Sequence, residues 1–331
     1  MKAILMTQAG GADLLTVADI PEPVITEPTQ IKVRLKAAGV NPIDTKLRSR
    51  GVFYDNALPA VLGCDGAGVV VETGSAVSKF KVGDNVWYCH GGLGGHQGNY
   101  AEYNVLDERW VAHSPKTLSF EQAAAGPLVL ITAWGALYDR ARLQQSNTVL
   151  IHAGAGGVGH VAIQLAKLHG ATVFATVGSE EKALLARSLG ADAVVNYHSQ
   201  DFVEAVIQLT DGRGVEVVLD TVGPEVFERS IGCTAYFGKI VTLLDIDGVN
   251  LKEARMKNLR IGFELMLTPQ LRKLVGGCDL QVDMLHQCGR WIDAGKLKIH
   301  VSETFPLEDA AKAHHLLEAG HVTGKLVLTI D

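Results

Sequence analysis

The stretch Thr148-Val149-Leu150-Ile151-His152-Ala153-Gly154-Ala155-Gly156-Gly157-Val158-Gly159 runs straight into His160-Val161-Ala162-Ile163-Gln164-Leu165-Ala166-Lys167. Thr148 to Ile151 is a short apolar, β-branched run of the kind a buried parallel strand presents. Gly154, Gly156 and Gly159 set the spacing G-x-G-x-x-G, after which Val161, Leu165 and Leu168 recur at helical spacing. Strand, glycine turn and helix in that order are the context a dinucleotide fingerprint requires, whereas a glycine match alone would equally suit a ligand-free turn. Gly154 is expected to allow the tight turn, Gly156 to let the backbone approach a pyrophosphate, and Gly159 to let helix pack close on strand. Ala155, Gly157 and Val158 complete the cofactor-binding turn, and the helix start offers N–H groups and partial positive charge to phosphate.

Outward from this stretch the chain changes character. From Asn147 onward strands and helices alternate. Strands are predicted over Thr172 to Val177, Ala193 to Asn196, Val215 to Leu219 and Tyr236 to Leu243, with helices over Glu180 to Leu189 and Phe202 to Leu209. That alternation implies a doubly wound parallel sheet with right-handed crossovers, an α/β fold of the Rossmann type. Upstream, residues 1 to about 115 read as β-rich. Ile31 to Ala37 alternates with period two, as a half-buried strand does, and Val69 to Val71 and Val86 to Tyr88 are further strands. Helices are predicted at Glu121 to Ala125 and, past Pro127, at Leu130 to Leu143. Beyond about residue 268 come two amphipathic helices, Met284 to Ala294 and Glu308 to Ala319, and strands near Val301 and Leu326. A single nucleotide domain has no place for this tail, which is expected to return to the first domain. The division is a β-rich domain of 1–126 with 269–331, and a nucleotide domain of 127–268.

Composition narrows the classes. A chain of 331 residues exceeds one ordinary core, and 47% apolar against 20% charged residues is far from a disordered composition. The net charge of −6 argues against nucleic acid as a partner. No apolar run reaches membrane-spanning length, and the N-terminus reads as a first strand rather than a signal peptide. Cys64, Cys89, Cys233, Cys278 and Cys288 are scattered and odd in number, as free thiols in a reducing cytoplasm would be.

A β-rich front, a mid-chain Rossmann unit and a returning tail, together with several local motifs, resemble the medium-chain dehydrogenase/reductase superfamily. The closest likeness is to its zinc-free quinone oxidoreductase (zeta-crystallin-like) branch. The carriers include Ala38-Gly39-Val40-Asn41-Pro42-Ile43-Asp44, Leu62-Gly63-Cys64-Asp65-Gly66-Ala67-Gly68, Gly98-Asn99-Tyr100-Ala101-Glu102-Tyr103, Asp220-Thr221-Val222-Gly223 and Gly324-Lys325-Leu326-Val327-Leu328. The resemblance covers the whole chain and implies a GroES-like catalytic domain beside the Rossmann domain. It also implies a homodimer joined through edge strands, with Ile261 to Leu267 as the candidate edge.

The resemblance places Asn41, Cys64 and Leu128 in the three zinc-ligand slots of the zinc-dependent relatives, and one thiol does not hold a catalytic zinc. Cys89-His90 and His96 in a glycine-rich loop could catch a metal ion, but a mobile loop is the plainer expectation. No metal is expected. For the coenzyme, NAD sites place a carboxylate at the tip of the second strand, about twenty residues past the fingerprint. Here that tip is Ala175-Thr176-Val177-Gly178-Ser179, without an acid. Ser179 and Lys182 could hydrogen-bond and neutralise a 2′-phosphate, so NADPH is expected. Glu180 or Glu181 serving NAD is the alternative, with Lys182 then a solvated helix charge. By resemblance, Tyr197 contacts the adenosine phosphate. Thr132 lies beside the nicotinamide, and Thr221, Val222, Phe237, Leu243 and Leu244 belong to the coenzyme pocket.

Substrate is expected in the cleft between domains, faced by Asn41, Asp44 and Tyr54. Asn41 could donate to a carbonyl or quinone oxygen as charge develops. Tyr54 could do the same or form an aromatic wall, while Asp44 orients its loop. The expected reaction is hydride transfer from NADPH to a quinone or an α,β-unsaturated carbonyl. An enone or enoyl reductase of the same fold is the alternative, and an NADPH-binding crystallin-like or RNA-binding protein the remote one.

Overall fold

The computed structural model describes residues 1–331. Two compact units emerge, one of Met1–Leu128 with Thr268–Asp331, the other of Val129–Leu267. The first begins with β1 (Lys2–Met6), β2 (Leu15–Asp19), β3 (Gln30–Val40), α1 (Pro42–Arg50), β4 (Ala60–Val61) and β5 (Asp65–Thr73). It continues with β6 (Asn85–Cys89), β7 (Tyr103–Asp107), β8 (Ala112–His113) and α2 (Phe120–Ala125), and α3 (Pro127–Trp134) follows. The second unit then runs β9 (Thr148–Ile151), α4 (Gly157–Leu168), β10 (Thr172–Val177), α5 (Glu180–Ser188), β11 (Ala193–Asn196) and α6 (Phe202–Leu209). It ends with β12 (Val215–Asp220), α7 (Pro224–Cys233), β13 (Thr234–Thr242), α8 (Lys252–Met256) and β14 (Arg260–Phe263). The tail comprises α9 (Thr268–Leu271), α10 (Val275–Asp293), β15 (Val301–Pro306), α11 (Ala310–Ala319) and β16 (Lys325–Thr329).

In the second unit six parallel strands lie in the order β11-β10-β9-β12-β13-β14. The chain starts at the centre, steps outward to β11, returns past its start and steps out the other way. That reversal beside β9 is the switch point at which doubly wound sheets bind nucleotides. Leu150, Phe174, Val218 and Ile240 from the strands pack against Phe202, Val206, Phe227 and Ile231 from the helices, all nearly inaccessible. The fold is the α/β Rossmann arrangement the alternation predicted.

In the first unit a seven-stranded sheet is centred on β3, with β5 on one edge and β7 then β16 on the other. This corrects the expectation of a half-buried strand. With both edges paired and helix α2 packed over it, β3 is buried from Ile31 to Val40 except at Arg34 and Lys36. The glycine-rich loop after β6 also differs from the mobile segment expected. Leu93 is fully buried, and the buried His90 ring stacks on Trp110 with centroids 4.8 Å apart. Gly91, Gly92 and Gly94 take φ of 85°, 76° and 99°, which only glycine adopts without strain. Helix α10 starts nine residues before the expected Met284, at Val275, because Gly276 and Gly277 break the periodic pattern without breaking the helix. No helix is long and apolar enough to cross a membrane.

Candidate active site

The glycine turn between β9 and α4 is shaped as the spacing requires. A Cβ on Gly154 would stand 2.7 Å from Ala175 Cβ and 3.2 Å from Ile163 Cδ1. One on Gly159 would overlap the Ala153 carbonyl oxygen and lie 2.8 Å from Gly154 Cα, so α4 rests directly on the turn. Gly156 is the N-cap of α4 and has no side chain to satisfy the first-turn N–H groups. Those groups, at Gly157, Val158 and Gly159, form with the helix dipole a cradle for an anionic pyrophosphate. Gly154 N donates to Thr176 O at 2.9 Å, tying the turn to β10.

At the tip of β10, Ser179 caps α5 by accepting Lys182 N at 3.2 Å, leaving its hydroxyl hydrogen to donate outward. A Cβ on Gly178 would collide with the Tyr197 hydroxyl, so the phenol lies over the strand tip. Tyr197 is about half exposed and Lys182 partly so. Of the two acids nearby, the Glu180 carboxylate accepts Arg187 Nη1 at 3.0 Å along its own helix, while Glu181 is exposed. Gly178 and Tyr197 meet at this tip, and Ser179 and Lys182 stand in the first turn of the helix that follows.

The ends of β12 and β13 are locked by two side chains that sequence reasoning missed. Buried Asp220 accepts Val222 N at 2.9 Å and Gly223 N at 3.1 Å through Oδ1, and Thr242 Oγ1 at 2.7 Å through Oδ2. Thr242 in turn accepts Leu244 N at 3.1 Å, and Leu243 N reaches Asp220 O at 3.2 Å. Thr221 Oγ1 donates to His152 O at 3.0 Å. Thr221, Val222, Leu243 and Leu244 are thus held at the same sheet edge as the glycine turn. Phe237 is not. It lies two residues before Lys239, which pairs with Val217 near the start of β12, so it stands at the opposite end of the strands. Its ring is 73% exposed and its φ is 61°, which removes it from the coenzyme group. Thr132 is buried within α3.

The first unit holds a buried polar cluster at the meeting of β3, β5, α1 and β16. Asn41 caps α1, its N–H donating to Asp44 Oδ2 at 2.8 Å. Its amide nitrogen donates to Asp65 Oδ2 at 2.9 Å, and its amide oxygen accepts from the Lys325 ammonium. Lys325 Nζ also donates to Val40 O at 2.9 Å, and Leu128 N donates to Asp65 Oδ1 at 2.9 Å. Tyr100 hydroxyl stands 3.2 Å from both Asp44 Oδ2 and His314 Nε2. Burial pushes the Asp44 carboxyl up to about 7 and raises Asp65, which Lys325 pulls partly back; burial likewise lowers Lys325. Asn41 and Asp44 have no accessible surface. Asn41 was expected to face substrate, and this is corrected: its amide is engaged at both ends inside the unit. Asp44, equally inaccessible, holds the start of α1 through the Asn41 N–H. Tyr54 differs, being half-buried, with its ring 3.1 Å from where a Cβ of Gly95 would be.

Comparison with known proteins fits this geometry. Residues 27–116 match the alcohol dehydrogenase GroES-like domain family, and residues 189–328 the zinc-binding dehydrogenase family. The quinone oxidoreductase of Pseudomonas aeruginosa is 37% identical over 331 residues, covering 99% of each chain. The chain belongs to the zeta-crystallin-like quinone oxidoreductase branch of the medium-chain dehydrogenase/reductases. The Escherichia coli quinone oxidoreductase, solved in complex with NADPH, superposes with a TM-score of 0.88 at 33% identity over 100% of both chains. An NADPH-dependent alkenal/one oxidoreductase of Arabidopsis thaliana is 35% identical over 99% of this chain and 79% of its own. The protein is a pyridine-nucleotide-dependent oxidoreductase acting on small molecules.

The second family's name implies zinc, and the residues in the ligand slots do not fit it. Asn41 is held by an ammonium and a carboxylate, and Leu128 has an apolar side chain, with its backbone N–H given to Asp65. The Cys64 thiol is pushed far from thiolate by burial and by Asp44 and Asp65. A fixed cation beside these atoms would also repel a second one.

Proposed function

We propose that the enzyme uses NADPH to reduce quinones or related electron-poor conjugated carbonyl compounds. One observation carries the substrate class: Asn41, which the resemblance put in a zinc-ligand slot, is held instead by a buried ammonium and by Asp65. Oxidising an unactivated alcohol requires its proton to be removed and its alkoxide stabilised. A conjugated acceptor spreads the arriving charge over its own π-system and needs little more than a hydrogen-bond donor at oxygen. The bound coenzyme supplies the hydride. The chain's part is to bind pyrophosphate at Gly157, Val158 and Gly159, to orient the coenzyme along the edge held by Asp220 and Thr242, and to offer Tyr54 as the donor to the developing oxyanion. Asn41 and Lys325 fix the loop that leads to Tyr54 and do not contact substrate.

The preference for the phosphorylated coenzyme is supported by the tip of β10. Ser179 and Lys182 stand in the first turn of α5 beside Tyr197, and Glu180 is paired with Arg187. A 2′-phosphate there gains a charge-assisted contact that a 2′-hydroxyl does not. The name of the Arabidopsis relative keeps conjugated alkenals and enones beside quinones as acceptors.

The test is oxidation of NADPH and NADH in parallel, each with a 1,4-quinone and a simple enone. NADPH with the quinone should turn over fastest. NADPH with the enone alone would move the enzyme to the alkene reductases, and preference for NADH would refute the assignment at β10. A second copy of the chain is the proposed partner. Strand β14 pairs only with β13, and Phe263 at its end and Leu265 just beyond are each more than half exposed, an edge open to pairing. A monomer in sedimentation at micromolar concentration would exclude it.

A further inference from the structure

Behind the glycine turn lies a buried chain of hydrogen-bonded side chains. His152, the first residue after β9, is 1% exposed. Its Nδ1 is 3.0 Å from Thr176 Oγ1 and its Nε2 is 2.8 Å from Ser230 Oγ. Ser230 Oγ also lies 2.6 Å from Val226 O, and Thr176 Oγ1 accepts Ala153 N at 3.3 Å. Each hydroxyl has a single proton, so the directions follow from these contacts. The Val226 carbonyl can only accept, so Ser230 donates to it and must accept from His152 Nε2–H. The imidazole then carries its proton on Nε2, leaving Nδ1 to accept the Thr176 hydroxyl. That leaves the Thr176 oxygen lone pairs facing Ala153 N–H.

The residue at the end of this chain is the unusual one. Ala153 has φ of 48°, in the left-handed region that a Cβ disfavours by about 1–2 kcal/mol. It opens the turn whose N–H groups face the coenzyme phosphates, and its carbonyl oxygen is what Gly159 packs upon. We propose that His152, as the neutral Nε2–H tautomer, is a positioning residue: through Thr176 it holds Ala153 in the left-handed conformation and so sets the phosphate-binding turn. The inference rests on the coenzyme site assigned above. Burial, assisted by the nearby Arg229, pushes the imidazole down to about 3, so the ring stays neutral over the working range of pH. An aliphatic side chain of the same shape at 176 would keep the packing and lose the chain.

The experiment pairs Thr176→Val, which lacks the hydroxyl, with Thr176→Ser, which keeps it, in the full-length protein. NADPH and NADH are titrated by fluorescence, and coenzyme KM and kcat are measured. With one hydrogen bond lost at the turn, Thr176→Val should weaken coenzyme binding about three- to tenfold, with kcat at saturation unchanged. Thr176→Ser should restore binding to within about twofold of the parent. Equal affinity of parent and Thr176→Val overturns the proposal, as does a serine variant no better than valine. A parent that binds neither coenzyme refutes the site assignment itself. Long-range proton–nitrogen NMR of histidine-labelled parent enzyme reads the tautomer without coenzyme. A buried histidine protonated on Nε2 alone, unchanged to pH 5, is expected for His152, identified by its loss in His152→Gln. Protonation on Nδ1, or titration above pH 5, would overturn it.

Discussion

Lys325→Met is the sharpest test of the buried cluster in the first unit. The lysine is 3% exposed, and its ammonium reaches Asp65 through Asn41, whose amide nitrogen is 2.9 Å from the carboxylate. Methionine keeps the stem and removes the cation, leaving Asp65 fully buried with two N–H donors, from Asn41 and Leu128, and no counter-charge. Removing one member of a buried charge pair costs about 3–5 kcal/mol. The pH dependence gives the argument its sign. The Asp65 carboxyl, already raised by burial, loses the lysine that lowers it and rises further above its unfolded value. A carboxyl raised in the folded state stabilises below its unfolded pKa and loses that contribution as pH climbs through the folded one. The deficit of Lys325→Met relative to the parent should therefore be largest near pH 8. It should shrink toward pH 5 by at most about 1.4 kcal/mol per unit. Adding Asp65→Asn, which removes the stranded charge, should recover more than half of the loss. Urea unfolding followed through the tryptophans of this unit, Trp87, Trp110 and Trp291, measures it. A deficit under about 1 kcal/mol, one that deepens with acid, or a double variant no better than the single would refute the reasoning.

Gly159→Ala should raise the dissociation constant for NADPH more than tenfold, because the new Cβ meets backbone and overpacking of this kind costs about 1–3 kcal/mol; fluorescence titration checks it. Lys182→Glu should lower the ratio of kcat/KM for NADPH over NADH by about tenfold, the loss of one solvent-screened charge-assisted contact. Tyr54→Phe should reduce kcat about tenfold in single-turnover reduction of a quinone and leave coenzyme affinity alone. Burial drives His90, His152 and His314 down to about 3, so on acidification the unfolded chain takes up protons that the folded one refuses. Thermal stability should fall as pH drops from about 6.5 toward 5. Asp44, raised to about 7, opposes the fall by holding a proton the unfolded chain releases, so Asp44→Asn should lose stability more steeply over the same range.

What the sequence disclosed and what it withheld divide by distance along the chain. Strands β10 and β11 and helix α6 stand at the residues the periodicity marked, because burial inside a parallel sheet imposes a local pattern. The fingerprint was legible for the same reason: Gly154 and Gly159 are needed by neighbours within nine residues or one strand away. Asn41 was misjudged because the group that claims its amide oxygen, Lys325, lies 284 residues further on. A lysine opening the apolar run Leu326-Val327-Leu328 was the one available signal, and it reads equally well as a strand end. Phe237 was carried over by resemblance alone, and the irregular register between β12 and β13 places it at the far end of the strands. His152 lay inside the quoted motif, yet only the fold brings Ser230 to it across 78 residues.

The pairing of β16 with β3 sets the order in which the protein can be made. Leu326 to Thr329 align with Ala37 to Val40, so one edge of the central strand waits for residues translated near the end of the chain. The intervening unit has all six of its strands once Phe263 has been synthesised and can close its own sheet first. Until then the N-terminal strands leave the ribosome with an open hydrogen-bonding edge, the state in which strands seek improper partners. Nascent chains arrested before Lys325 should therefore depend on chaperones in a way that full-length chains do not.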